Sequence, residues 1–286
     1  MTVRTGRVRA ARGLSERSQR TAAGRFLAEG PQAVREALAE AVRRPGLVVE
    51  VYATAEASAR QGELRRQAAS AGVGWQEAGD DVLRAICATM HPQGLVAVCR
   101  FVDVPLAEAL AGAPRLVVVG VDVRDPGNAG TVVRCADAAG ADAVVFCGTG
   151  VDPYNPKAVR ASTGSVFHLP LALEPDVSIA VAAVRAAGLQ VLAADGAATL
   201  DLDGAEARGL LSAPTAWLIG NEAHGLDRTA RAMADTAVGV PLYGRAESLN
   251  LAAAAAVCLY ASARVQRRAD PAGAAAGPTD SPASEH

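Results

Sequence analysis

The carboxyl half of this chain carries short, almost uninterrupted apolar runs at residues 116–121, 143–147, 189–194, 216–219 and 238–242. A strand with one wet face alternates apolar and polar residues, whereas a run apolar at every position has to bury both faces. Helical patterns lie between and after these runs, at 128–139 with Gly140 as its stop, at 177–187 and at 248–264. Strands and helices in that rhythm predict an α/β domain, a parallel sheet covered on both sides. A smaller α/β unit precedes it, with helices at 31–44, 55–71 and 80–89 and strands at 47–53 and 93–102. The Ala- and Pro-rich stretch 105–114 reads as a linker or linking helix between the two. With 286 residues, half of them apolar, the chain is long enough to bury a core in each unit.

Several function classes lose support from composition. No window approaches the roughly 18 consecutive apolar residues of a membrane span, and no apolar run follows the amino-terminal arginines, so a cytoplasmic protein without membrane partners is expected. Cys87, Cys99, Cys135, Cys147 and Cys258 are widely spaced and apolar-flanked, which predicts free thiols rather than disulfides or a zinc site. His91, His168, His224 and His286 lack ligand spacing, and no metal is expected. The dinucleotide pattern G-x-G-x-x-G and the Walker loop are both absent.

Charge is uneven. The first 25 residues hold Arg4, Arg7, Arg9, Arg12, Arg17, Arg20 and Arg25 against the single acid Glu16, and Lys157 is the only lysine. Such a segment is either an arm that grips a nucleic-acid backbone or a disordered basic leader. At the other end, the tail from residue 268 is too poor in bulky apolar residues to order itself.

Polar groups cluster where strands hand over to helices, the edge at which open α/β sheets bind ligands. The first cluster is DPGNAGTVVR at 125–134, the second IGNEAHGL at 219–226, the third VPLYGRAESLNLAAA at 240–254. Asn128 reads as a helix N-cap or as a donor and acceptor for substrate. Glu222 fits the first turn of a short helix, and Ser248 is a cap candidate. Asn250 adjoins a run so apolar that its amide needs partners, because burying it unsatisfied costs about 1–3 kcal/mol.

Together the three clusters closely resemble, in order and spacing, the signature motifs of the SpoU, or TrmH-type, ribose 2′-O-methyltransferases of the SPOUT class, over residues 114–265. FLAEGPQAVREAL at 26–38 and HPQGLVAV at 91–98 look like the amino-terminal substrate-binding domain often joined to that unit. The resemblance implies a deep trefoil knot and S-adenosyl-L-methionine as cofactor. It also implies methylation of RNA, ribosomal in first place, and a homodimer built through the carboxyl-terminal domain. Leu218, Ile219, Gly220, Val240, Pro241, Leu242, Ser248, Leu249, Asn250 and Leu251 would hold the cofactor. Arg134, Asn128, Glu222, Ser248 and Asn250 would form the catalytic set, and Arg134, Arg160 and Arg25 would meet RNA. A guanidinium is a poor base near neutrality, so Arg134 is read as holding phosphate and the developing alkoxide, with phosphate or water taking the proton.

The expected organisation is a basic flexible leader at 1–20, an RNA-binding domain at 21–108, the SPOUT domain at 109–267 and a disordered tail at 268–286. Three other readings stay open: a transfer-RNA ribose methyltransferase, a non-catalytic ribosome-assembly factor, and a small-molecule enzyme using another nucleoside cofactor.

Overall fold

The structure, a computed structural model, describes residues 5–87, 89, 91–221 and 223–269. The carboxyl-terminal sheet has six strands, all parallel: β5 (Leu116–Val121), β6 (Ala143–Cys147), β7 (Leu171–Glu174), β8 (Gln190–Ala194), β9 (Thr215–Ile219) and β10 (Thr236–Val238). Their order is β10-β8-β9-β5-β6-β7, so β9 enters between strands laid down earlier. Strands β5, β6 and β9 are buried at every position, as their composition requires. Alternation then divides them between two cores. Val118, Val144, Phe146 and Trp217 face one, beneath α8 (Pro126–Ala139) and α13 (Leu251–Ala269). Val117, Val119, Val145 and Leu218 face the other, beneath α7 (Leu106–Ala109), α10 (Val177–Ala186) and α12 (Arg228–Ala232). The helices α9 (Pro156–Ser162) and α11 (Leu202–Ala207), which sequence patterning left unassigned, complete this half.

The amino-terminal half is a mixed four-stranded sheet in the order β1-β4-β2-β3. It comprises β1 (Arg25–Glu29), β2 (Val48–Ala53), β3 (Gly74–Glu77) and β4 (Leu95–Arg100), with β1 and β2 antiparallel to β4 and β3 parallel to β2. Around it lie α3 (Pro31–Arg43), α4 (Ala55–Arg60), α5 (Gly62–Ser70) and α6 (Asp80–Cys87). The helix expected across 55–71 is interrupted at Gln61, where φ −107° and ψ 43° leave helical space. Strand β3 is poor in apolar residues and is a strand because β2 pairs with it.

The expected flexible leader is corrected. Residues 6–13 and 17–23 form α1 (Gly6–Gly13) and α2 (Arg17–Ala23), and Val8 and Ala11 are buried. The order has a clear cause in Arg20, which is 1% exposed. One nitrogen of its guanidinium donates to the Leu14 and Ser15 carbonyls at 2.8 Å each, closing the turn between the helices. The other two meet Asp152, beyond β6, at 2.9 and 2.5 Å. Asp152→Ala should therefore leave a buried cation unpaired and lower unfolding stability by about 3 kcal/mol in denaturant titration. A midpoint equal to wild type would show that the pair does not hold the hairpin.

Residues 105–114 hold α7 but do not separate the halves, because one hydrophobic cluster runs through both. Three of the four phenylalanines, Phe26, Phe101 and Phe167, gather with Tyr154 at the junction, with Phe101 stacked on Tyr154 at a centroid distance of 4.1 Å. The Tyr154 hydroxyl accepts from the Val102 and Asp103 amides and donates to the Asp103 carboxylate. His168 bridges the halves as well, 2.8 Å from Asp137 of α8 and 3.2 Å from Glu36 of α3.

Burial pushes the His168 pKa down, but hydrogen bonds and charge from Asp137 and Glu36 outweigh it and the net shift is upward. A raised folded value means this stabilisation is complete below the unfolded pKa of ~6.5 and is lost as pH rises through the folded value. Melting midpoints of wild type and His168→Gln should differ most below about pH 6.5 and converge above it. A gap that stays constant over this range would contradict the bridging role.

The thiols are free, and burial pushes those of Cys87, Cys147 and Cys258 up to about 12. No helix among the described residues is long and apolar enough to cross a membrane, and none of their His, Cys, Asp and Glu side chains cluster as a metal site. The tail from residue 270 lies outside the described residues, and α13 continues to Ala269.

Candidate cofactor and substrate site

Helix α8 begins two residues earlier than its sequence pattern indicated. Asp125 is its N-cap, accepting from the Asn128 amide at 2.9 Å, and Pro126 takes the first helical position, where a missing N–H costs nothing. Asn128 is thus inside the first turn rather than its cap. The Asp125 carboxylate pairs with Lys157 at 2.6 Å; that bond, with the Asn128 amide, lowers its pKa.

The third cluster is corrected in the opposite direction. Only Thr236–Val238 pairs as a strand, residues 239–250 form a loop, and α13 starts at Leu251 rather than at residue 248. Asn250 and not Ser248 caps the helix, its Oδ1 accepting from the Ala252 and Ala253 amides at 2.9 and 3.3 Å. Its Nδ2 donates to Asn128 Oδ1 at 3.0 Å. Two helix N-termini 122 residues apart in sequence are thereby tied together by one amide pair.

Beside this pair lies a pocket of about 250 Å³, close to the lower end of small-ligand sites. The loops after β8, β9 and β10 build it. Ala194, Asp195 and Gly196 come from the first, Ile219, Gly220, Asn221, Ala223 and Gly225 from the second, and Val240, Leu242, Glu247, Ser248 and Leu249 from the third. Leu251 and Ala254 of α13 close it. Of the residues expected to hold cofactor, Leu218 and Pro241 do not line it. Leu218 belongs to the opposite face of β9, since neighbours along a strand point to opposite sides. Pro241 lines an adjoining groove with Tyr243 and Tyr260. Asn250 turns from the pocket toward Asn128, between two residues that line it.

Sequence reading missed Asp195, and it took in Asn221 and Glu247 only as members of their clusters, without a role of their own. Asp195 follows a parallel strand directly and was accessible to the rule that ligands bind beyond strand ends. It is held by Arg231 at 2.8 Å. Asn221 donates to the Asp122 carbonyl at 2.9 Å and accepts from the Ala223 amide at 2.9 Å, joining the loops that leave β5 and β9. Glu222 lies outside the described residues.

Arg134 stands exposed on α8 and donates to Thr163 Oγ1 at 3.2 Å. Thr163 has φ 51° and Asp122 φ 49°, a region that non-glycine residues rarely occupy and that strained functional loops use. Arg160 differs from expectation, because its guanidinium is 3.0 Å from Glu29 of β1, a carboxylate 8% exposed as a residue. It ties the halves of the molecule together. Arg25 is half-buried, with its Nε enclosed and without a hydrogen-bond partner.

A parallel sheet with a pocket at its carboxyl edge, next to paired amides and an exposed arginine, defines an α/β protein with its candidate ligand site where open sheets of this kind hold ligands. Comparison with known proteins is more specific. The SpoU rRNA Methylase family matches residues 115–260, and an MRM3-like substrate binding domain matches residues 6–97. The 23S rRNA (guanosine(2553)-2′-O)-methyltransferase RlmP of Bacillus subtilis is 34% identical over 250 residues, covering 86% of this chain and 92% of that one. Among solved structures, the AdoMet-bound rRNA methyltransferase from Sinorhizobium meliloti superposes with a TM-score of 0.79 at 29% identity, covering 94% and 97% of the two chains. The SpoU methyltransferase AviRb from Streptomyces viridochromogenes, in complex with AdoMet, gives 0.78 at 33% identity, covering 93% and 100%. This chain belongs to the SpoU rRNA methylase family.

Proposed function

We propose that the protein methylates the 2′-hydroxyl of a ribose in ribosomal RNA, with S-adenosylmethionine as donor. The carrying observation is the Asn128–Asn250 pair at the lip of the pocket, which brings the first and third clusters to one point. The pocket suits this donor in its chemistry: apolar Ile219, Leu242, Leu249 and Leu251 offer walls for an adenine, and Glu247 favours a ligand with positive charge, while Asp195 is paired with Arg231. When bound, S-adenosylmethionine supplies a methyl group on a sulfonium, open to in-line attack.

The protein's own residues then do the rest. Asn128 and Asn250 fix the ribose edge relative to the pocket, converting an encounter into an oriented approach. Arg134, steadied by Thr163, binds the neighbouring phosphate and stabilises negative charge as it develops on the 2′-oxygen. The proton leaves to phosphate or water, since guanidinium does not serve as a base. Ser248 lines the pocket and contributes to donor binding.

Two finer features belong to the same reading. The chain passes from β9 to the edge strand β10 and returns through residues 239–250 to α13, which packs on α8; this path supports a trefoil knot through the pocket loops. Tyr243, Leu249, Val257 and Tyr260 are exposed around a groove of about 720 Å³ that shares Val240 and Leu249 with the pocket, which supports a second copy of the chain as its cover.

Incubation with methyl-labelled S-adenosylmethionine and ribosomal or transfer RNA, followed by mapping of ribose methylation, tests the proposal. Label in a ribose of ribosomal RNA is the expected result. Transfer only to transfer RNA would replace the substrate, and tight RNA binding without any transfer would favour an assembly factor.

A further inference from the structure

Helix α1 buries Val8 and Ala11 toward β2, β4 and α6 and leaves its arginines outside. Arg9 and Arg12, three residues apart, share one exposed flank, and Arg17 is exposed at the start of α2. Glu16 is the only acid of the first 25 residues, so the surface is strongly positive. Its location is fixed. Beyond the Arg20–Asp152 pair, Arg17 donates to the Gly150 carbonyl at 3.3 Å. Gly150 itself lies against the loop after β5: a Cβ there would come within 2.3 Å of the Val123 carbonyl oxygen. Val123 stands two residues before Asp125, the cap of the helix that bears Asn128 and Arg134, and Arg124 is exposed between them.

We propose that the α1–α2 hairpin is a phosphate-gripping surface for the single-stranded RNA that flanks the methylated nucleotide. Arg12 and Arg17 are its contacts, and Arg20 with Asp152 positions it against the carboxyl edge of the sheet. The inference rests on the RNA reading given above and adds which part of the chain follows the strand away from the ribose. The physical reason is geometric. A ribose presented to the pocket has to lie in an unpaired segment, and a strand that leaves it past exposed Arg124 runs toward the arginines of the hairpin. Arginine side chains on anchored helices meet phosphates without the ordering cost of a free arm.

The test is RNA binding at several salt concentrations, with steady-state methylation, for wild type, Arg12→Gln/Arg17→Gln and Arg208→Gln, an exposed arginine at the end of α11. Each lost phosphate contact on a single strand lowers the slope of log K against log salt by about 0.7, so the double variant should lose about 1.4. Its KM for RNA should rise roughly tenfold across RNA sequences, since phosphate contacts carry no base preference. The S-adenosylmethionine Kd should stay at the wild-type value, and Arg208→Gln should match wild type throughout. An unchanged slope and KM in the double variant would overturn the proposal, as would an equal loss in Arg208→Gln. Wild type that binds RNA with the steeper slope yet transfers no methyl group would sink the catalytic reading and leave the surface intact.

Discussion

Arg134→Ala should reduce kcat by about 10²–10³-fold while leaving the affinity for S-adenosylmethionine unchanged. The expected size is that of removing one preorganised donor from developing negative charge. Its selectivity follows from position: Arg134 sits on α8 and bonds to Thr163, and neither residue lines the pocket. Single-turnover methylation and calorimetric titration of the donor separate the two quantities. Equal losses in both would make Arg134 a structural residue of the cofactor site. Thr163→Val should give a smaller drop in kcat and a broader dependence on RNA concentration, because it removes the hydroxyl that orients the guanidinium and keeps the cation.

The second large effect is expected at Gly220, where β9 opens into the pocket loop. A Cβ there would fall 2.1–2.4 Å from backbone atoms of Gly225 and Leu226, and backbone yields less readily than the tip of a side chain. Gly220→Ala should open the turn held by the Asn221–Gly225 backbone pair, at 2.9 and 2.8 Å, and displace a wall of the pocket. Overpacking of this kind costs about 1–3 kcal/mol, which corresponds to a donor Kd weakened roughly 10- to 100-fold if the strain is relieved by moving the loop. Wild-type affinity in the folded variant would mean that this turn and the donor site are independent.

Much of the candidate site was legible because its clusters are contiguous in sequence. Asn128, Ser248 and Asn250 stand at strand-to-helix junctions, and the polar residues there were unexpected beside such apolar neighbours. Which of them caps a helix was not legible. Asp125 and Asn250 take those roles because the helices start at residues 126 and 251, the first two residues earlier and the second three residues later than hydrophobic periodicity placed them. Arg160 looked like a phosphate ligand because its partner Glu29 lies 131 residues away, beyond any local pattern. The amino-terminal arginines looked like a solvated leader for the same reason: the acid that buries Arg20 is 132 residues downstream.

The sequence by itself determined the layered α/β architecture, since strands apolar at every position leave no choice but burial on both faces. It also determined the family, through three separated clusters in a fixed order. Tertiary structure decided what each cluster faces. The strand order β10-β8-β9-β5-β6-β7 sets the loops after β8, β9 and β10 around one pocket, and it carries Asn250 to Asn128. Such pairings follow from how the sheet is threaded, and threading depends on contacts whose partners are far apart along the chain and leave no periodic trace in it.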